Sequence, residues 1–329
     1  MMTNNKNTII DETRDLCTMK QLPFIILALV GLLLPTACHT PEGTESDENA
    51  LKIGFVPSAD ALPYMVAEQI GVFDSLELDV RFVPMSNVEE RDTSFLRHHT
   101  DGLLLSFAES CRLQHDSVDL VPTIATGTTY YMMVPYDSLL VTSSCLNGKT
   151  LGLQLYSGEH HFTDEALRRF QLTYEDVNLI NISDERTRLQ MLLNGQLDAA
   201  VLTDPQVSFA KADSCILLAV STPNRREYEV LAFSDSILEH KGEEIRRLII
   251  GYNRGVDYIN QHPTSAWLPT ASARMGLPFD TLCIKHEPFE HAISITPKMK
   301  SEIQQWLSDK ELLPQKKWNF RTANINLEN

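Results

Sequence analysis

Two stretches of this chain carry the same pattern, and that repeat constrains the fold more than any other feature. Leu192 to Pro205, LLNGQLDAAVLTDP, reads as a helix end, a turn, a buried strand and a loop. Leu189, Leu192 and Leu193 form an apolar helix stripe, and Gly195 stands where a helix-ending glycine belongs. Ala199 to Leu202 is an apolar run of strand length, broken by Thr203-Asp204-Pro205. Phe95 to Ser106, FLRHHTDGLLLS, repeats the order, with Asp101 standing 97 residues before Asp198. Each copy follows its own opening strand, Ile53-Gly54-Phe55 and Leu151-Gly152-Leu153, with Gly54 and Gly152 offset by 98. Offsets agreeing within one residue point to two similar α/β lobes. In open α/β sheets, ligands bind beyond the carboxyl ends of the strands.

The order and spacing of four segments resemble the type II periplasmic substrate-binding proteins. Within that class the chain is similar to the family serving ABC importers of thiamine-type pyrimidines, sulfonates or nitrate. The segments are LKIGFVPSADALPYMVAEQIGVF, LNGKTLGLQLYSG, LLNGQLDAAVLTDP and IQQWLSDKELL, together spanning roughly residues 51 to 315. The resemblance implies an α/β fold of two similar three-layer lobes joined by two crossover strands. Lobe one is expected over 51–134 and 228–315, lobe two over 135–227, and a loose tail over 316–329. The crossings are expected at Tyr130 to Val134 and at Tyr228 to Phe233.

The chain begins with features of export. Leu22 to Leu34 is apolar apart from Pro23 and Gly31. It is too short for a bilayer helix, which needs about 20 residues, and fits the h-region of a secretory signal. Met19-Lys20 is the expected start, because Asp11, Glu12 and Asp15 do not suit an n-region. The run ends LPTAC, resembling a lipoprotein cleavage site with Cys38 as the lipid-bearing residue; an ordinary secretory signal is the other reading. Residues 1–37 are thus read as extension plus signal peptide. Residues 38–50 are the lipidated cysteine and an acidic tether too polar to fold. Net charge is −16 and is unchanged by removing 1–37. That charge argues against nucleic acid and anionic lipid headgroups as partners. Four cysteines remain, Cys111, Cys145, Cys215 and Cys283. Their wide spacing favours buried free thiols over the three possible disulfide pairings.

Within the lobes, Pro63 suits the first turn of a helix continuing through Tyr64. Thr163 is the expected cap of a lobe-two helix, stapled by Phe162 and Leu167. Ser183 is the expected cap of the helix ending at Gly195, and helices are expected over Glu243 to Ile259 and Lys298 to Leu307. The strand-end loops supply the candidate ligand contacts. In lobe one these are Ser58, Asp60, Tyr64, Ser106, Phe107, Glu109, Thr128 and Tyr130. In lobe two they are Tyr156, Ser157, Gly158, Glu159, His160, Thr203 and Asp204. Ser58 and Ser157-Gly158 are placed to present backbone N–H groups at helix starts, while Asp60 and Asp204 would serve equally well as helix caps. These loops carry acids and aromatics but no Arg or Lys. Acids accept hydrogen bonds from an amino-substituted ring, and Tyr64, Phe107, Tyr130 and Tyr156 offer stacking faces.

No metal or other cofactor is expected. His98-His99 and Glu159-His160-His161 lack a third ligand at fixed spacing. His286-Glu287-Pro288-Phe289-Glu290-His291 has its second His one place too far for a zinc-protease helix, which Pro288 also opposes. There is no nucleophile elbow, P-loop or dinucleotide fingerprint. The resulting expectation is a lipid-anchored, exported, monomeric binding protein that performs no chemistry. Its partners would be a small solute, a permease–ATPase complex and, through the anchor, the membrane. Two alternatives remain: an enzyme like those of the menaquinone pathway that resemble this fold, with Asp60 or Glu109 as base, and a lipoprotein sensor.

Overall fold

Strand alternation and helix periodicity sort the chain into two mixed sheets, each covered on both faces. The computed structural model describes residues 49–136, 146–221, 227–275, 288–310, 320–323 and 325. All of these lie in one compact unit, Thr44–Asn329. The strands are β1 (Leu51–Phe55), β2 (Val80–Pro84), β3 (Gly102–Ser106), β4 (Val121–Thr128), β5 (Tyr131–Pro135), β6 (Thr150–Leu153), β7 (Asn178–Asn181), β8 (Ala199–Leu202), β9 (Cys215–Val220), β10 (Glu227–Phe233) and β11 (Ile293–Ser294). The helices are α1 (Leu62–Gln69), α2 (Val72–Ser75), α3 (Val88–Leu96), α4 (Phe107–His115), α5 (Gly158–Arg169), α6 (Glu185–Leu193), α7 (Gln206–Ala212), α8 (Asp235–His240), α9 (Gly242–Gln261), α10 (Leu268–Arg274) and α11 (Pro297–Asp309).

The first sheet runs β11-β4-β10-β3-β1-β2 and the second β7-β6-β8-β5-β9. In each, the strands of the repeated pattern pair in parallel: β1 with β2 and β3, and β6 with β7 and β8. Alternate residues feed opposite faces. Leu103 and Leu105 join one core while Leu104 joins the other. Met132 and Val134 likewise part from Tyr131 and Met133. Two cores per sheet give each lobe three layers.

The matched aspartates do the same work twice. The Asp101 carboxylate accepts the Lys52 N–H at 2.9 Å, and Asp101 N–H donates to the Lys52 carbonyl at 2.8 Å. Asp198 accepts the Thr150 N–H at 2.9 Å, and its own N–H reaches the Thr150 carbonyl at 3.0 Å. Each aspartate thereby fixes the start of a strand against its neighbour.

The crossings between sheets lie slightly away from the apolar runs read in the sequence. β5 belongs wholly to the second sheet and β10 wholly to the first, so the chain changes sheets between β4 and β5 and again between β9 and β10. The two passages touch: Ser221 N–H donates to the Tyr130 carbonyl at 2.9 Å, and Tyr130 N–H to Ser221 Oγ at 3.0 Å.

Helix α5 starts earlier than expected. Ser157 is its cap, accepting the Glu159 N–H at 3.2 Å. Thr163 lies buried inside the helix, its hydroxyl bonded to the Glu159 carbonyl. Asp184, rather than Ser183, caps α6. Part of the expected tail is packed. Phe320 is buried against Phe107, and Ala323 N–H donates to the Pro122 carbonyl at 2.9 Å. Cys111 and Cys215 are free and buried; Cys145, Cys283, the Leu22–Leu34 run and Cys38 lie outside the described residues. Among the described residues no helix is long and apolar enough to cross a membrane.

Helix α9 packs tightly against α1. A Cβ at Gly255 would overlap the Pro63 carbonyl oxygen, a backbone atom that cannot swing away. Gly255→Ala is expected to lower stability by about 3 kcal/mol, the cost of overpacking a rigid contact. A urea-unfolding midpoint comparison checks this.

Candidate functional site: an acid-rich cleft between the sheets

The carboxyl ends of the parallel strands of both sheets converge on one cavity of about 370 Å³. From the first sheet come the loop after β1 with Ser58 and Asp60, the end of β3 with Ser106 and Glu109, and Glu229 on β10. From the second come Gln154, Ser157 and Glu159 after β6, Glu185 on α6, and Thr203 after β8.

Each side is braced by a buried arginine. In lobe one, Ser106 caps α4 in a reciprocal box with Glu109. Arg91, 3% exposed, donates to Glu109 at 2.9 Å and to Asp92 at 2.8 Å. Burial pushes the Glu109 carboxyl up, but Arg91 and the Ser106 hydrogen bonds outweigh it and hold it below the usual range. In lobe two, Arg188 has no exposed surface. It donates to Glu159 at 2.5 Å and to the Ile182 carbonyl at 2.6 Å, and lies 3.5 Å from Glu185. Two buried carboxyls thus share one guanidinium. Burial lifts Glu159 to about 7 and raises Glu185 as well, even though Arg188 pulls both the other way. Because the two carboxyls interact, they titrate as a pair rather than singly. Glu185 also accepts the Thr203 hydroxyl at 3.0 Å.

Two acids have no such partner. Asp60 accepts the Ser58 hydroxyl and its own backbone N–H, and Glu229 accepts the Tyr130 hydroxyl at 2.7 Å. Among the described residues neither forms an ion pair. Burial raises Asp60, and burial together with the Asp60 and Glu109 charges raises Glu229 well above its ordinary value. Strand order β10-β3-β1 sets Glu229, Glu109 and Asp60 side by side along one sheet edge.

Comparison with known proteins agrees with this architecture. A family model described as NMT1/THI5 like matches residues 58–266, more than half of the chain. The chain belongs to the NMT1/THI5-like family. Its fold is that of the type II periplasmic binding proteins. The periplasmic aliphatic sulphonate binding protein SsuA from Escherichia coli is 18% identical, with a TM-score of 0.68 over 81% of this chain and 94% of that one. The zinc-bound ligand-binding component of an ABC-type import system from Staphylococcus aureus is 11% identical, with a TM-score of 0.72 over 85% and 99%. The desulfurization enzyme DSZB is 13% identical, with a TM-score of 0.62 over 84% and 94%. No curated protein sequence gives a significant match.

In this NMT1/THI5-like chain the cleft gathers Ser58, Asp60, Ser106, Glu109, Thr128, Tyr130, Ser157, Glu159 and Thr203 from the sequence-derived candidates. Six others lie elsewhere. Tyr64 is fully buried in the lobe-one core against Tyr252 and Phe82, because the α1 turn begun by Pro63 points it at α9. Phe107 turns its ring into the core beside Phe320. Gly158 faces the groove along α11. Tyr156, at φ 63°, is turned outward and is 41% exposed. His160 packs its ring on Trp306 and Tyr174, and burial pushes its pKa down to about 4. Asp204 accepts the Ser208 hydroxyl at 2.8 Å instead of lining the cavity. Tyr130 is therefore the one lining aromatic among the described residues, and the four-aromatic platform is not assembled.

The cleft is also not free of cations. Arg91 and Arg186 line it, contributed by helices rather than by the strand-end loops. Arg91 and Arg188 stand 97 residues apart, the spacing of Asp101 and Asp198, so the repeat itself carried the signal. Glu229 was missed because β10 reads as a crossing strand; an acid inside an alternating strand was the available clue. Among the described residues no three His, Cys, Asp or Glu side chains are grouped to hold a metal.

The raised Glu159 carboxyl has a pH consequence. Glu159 ordinarily titrates near 4.5, and its folded value is about 7. Between these values the folded chain binds more protons than the unfolded one, so stability falls as pH rises. Glu185→Gln, which leaves Glu159 alone with Arg188, is expected to flatten that fall. Urea unfolding of both proteins at pH 5 and pH 7.5 reads it.

Proposed function

We propose that this protein is the extracytoplasmic solute-binding component of an ABC importer. Its cleft would take a small cationic or amino-substituted nitrogen heterocycle, such as a thiamine-type pyrimidine. The observation that carries this reading is the pair Asp60 and Glu229. Both line the cavity, and among the described residues neither forms an ion pair; the Arg91 charge acts on each, but burial outweighs it. A ligand bearing an amino group next to a ring nitrogen would give such carboxyls the donors they lack, in a charge-assisted pair. The volume lies in the range of about 300–1,000 Å³ usual for small-molecule sites. Tyr130, Met85 and Met275 supply apolar lining.

A sulfonate fits this lining poorly. Arg91 is already bound to Glu109 and Asp92. Arg188 is spent on Glu159, Glu185 and a backbone carbonyl. An anion would meet Asp60 and Glu229 across the cavity, which Arg186 also lines. Export, a lipid anchor at Cys38 on the periplasmic face, a permease–ATPase partner and a monomeric state belong to the same proposal. Asp60 and Glu229 also favour a second reading, since buried carboxyls with raised proton affinity serve as general acids. In an enzyme the solute would be returned altered, whereas a binding protein returns it unchanged.

Titration calorimetry with a 4-aminopyrimidine and with butanesulfonate separates the ligand classes. The aminopyrimidine is expected to bind and butanesulfonate to give no heat. Glu229→Gln is expected to weaken aminopyrimidine binding by about tenfold or more, the scale of one charge-assisted hydrogen bond. Preference for the sulfonate, undiminished in Glu229→Gln, would refute the ligand assignment.

A further inference from the structure

Glu109 lines the cleft, yet it has no acceptor capacity left for a solute. A carboxylate offers about four lone-pair sites. Oε2 takes the Ser106 N–H at 3.0 Å and the Ser106 hydroxyl at 2.7 Å. Oε1 takes Arg91 at 2.9 Å and the Gln154 side-chain amide at 2.9 Å. Ser106 and Arg91 come from the first sheet and its helices. Gln154 follows β6 and comes from the second.

Gln154 is itself anchored on its own side. Its backbone N–H donates to Glu159 Oε2 at 2.7 Å, and its carbonyl accepts the Ser157 hydroxyl at 2.8 Å. Glu159 in turn holds Arg188. One chain of hydrogen bonds, Arg91–Glu109–Gln154–Glu159–Arg188, therefore joins the two buried guanidiniums across the cavity. Separating the lobes at this point breaks a single link, Gln154 Nε2 to Glu109 Oε1. Every other bond in the chain lies within one lobe.

We propose that Gln154 is a closure latch whose amide, donated to Glu109, sets the balance between open and closed cleft before any solute binds. Glu109 then acts as the keeper of that latch rather than as a ligand contact. The role does not depend on which solute the cleft takes. A second crossing competes with it as the holder of the closed form. On the far side of α5, Lys310, which caps the end of α11, donates to Asp164 at 2.7 Å and sits 4.1 Å from the Tyr174 ring centroid. Trp306 meets the His160 and His161 rings edge-on in the same region.

Distances between the lobes in solution test the latch. Positions 89 on α3 and 190 on α6 are exposed, one in each lobe. Spin labels attached there through a ketone-bearing amino acid leave the native cysteines untouched. Double electron–electron resonance on the purified, ligand-free protein then reads the open and closed populations. The unaltered protein is expected to show a short-distance population. Gln154→Ala is expected to reduce the closed-to-open ratio about tenfold, and Gln154→Glu to reduce it further by repulsion from Glu109. Gln154→Lys, which can pair with Glu109, is expected to restore it. A distribution that neither Ala nor Glu shifts, an unaltered protein with the long distance alone, or opening by Lys310→Ala but not by Gln154→Ala would overturn the proposal.

Discussion

The structure turns on a buried guanidinium matched to a buried carboxylate, built once in each lobe. Removing such charges from water costs several kcal/mol per ion, so each must be paired. Arg91 meets that demand through Glu109 and Asp92; Arg188 is held by Glu159, Glu185 and the Ile182 carbonyl, with its Nε left without a hydrogen-bond partner among the described residues. Each pairing ties a helix that follows the second strand of its lobe to a helix start at a strand end. The cleft walls are thereby fixed by side chains no solute has to order. The outer scaffold is fixed in the same doubled way, by Asp101 and Asp198 at the strand starts.

That bracing decides what the cleft can recognise. Arg91, which lines it, and Arg188, which backs it, are consumed by the protein's own acids. Asp60 and Glu229, raised by burial and neighbouring charge, are lining acids left without an ion pair among the described residues. A pocket of this kind selects for donors. The sheet order makes the arrangement unavoidable: β10, β3 and β1 are neighbours, and each delivers one carboxyl to the same edge. The fold by itself selects nothing, since it serves a sulphonate-binding protein, a zinc-bound importer component and a desulfurization enzyme.

Much of the architecture was legible in the sequence because it was written twice. The offset of Asp101 and Asp198 marked equivalent strands, and Thr203-Asp204-Pro205 marked where the second lobe's strands end. What failed were statements about side-chain direction. Tyr64 follows a helix-starting proline, and only the position of α9 decides whether its ring faces the cleft or the core. Phe107 follows Ser106 directly, yet one step around the first helical turn takes it from cleft to core. The α5 cap was misplaced because Thr163-Asp164-Glu165 imitates a helix start, while Ser157 satisfies the actual one. Arg91 and Arg188 were readable from their shared spacing but lie on helices, outside the loops where ligand contacts were sought. Glu229 depends on long-range strand pairing with Ser106 and Thr126, which no local pattern reveals.

The most direct test of an acid-lined cleft selecting for donors is to identify what the protein carries. Native mass spectrometry of protein purified without denaturation, followed by release and identification of any bound molecule, makes that measurement. A released cation or amino-substituted nitrogen heterocycle is the predicted result. A released sulfonate or other oxyanion would contradict the account.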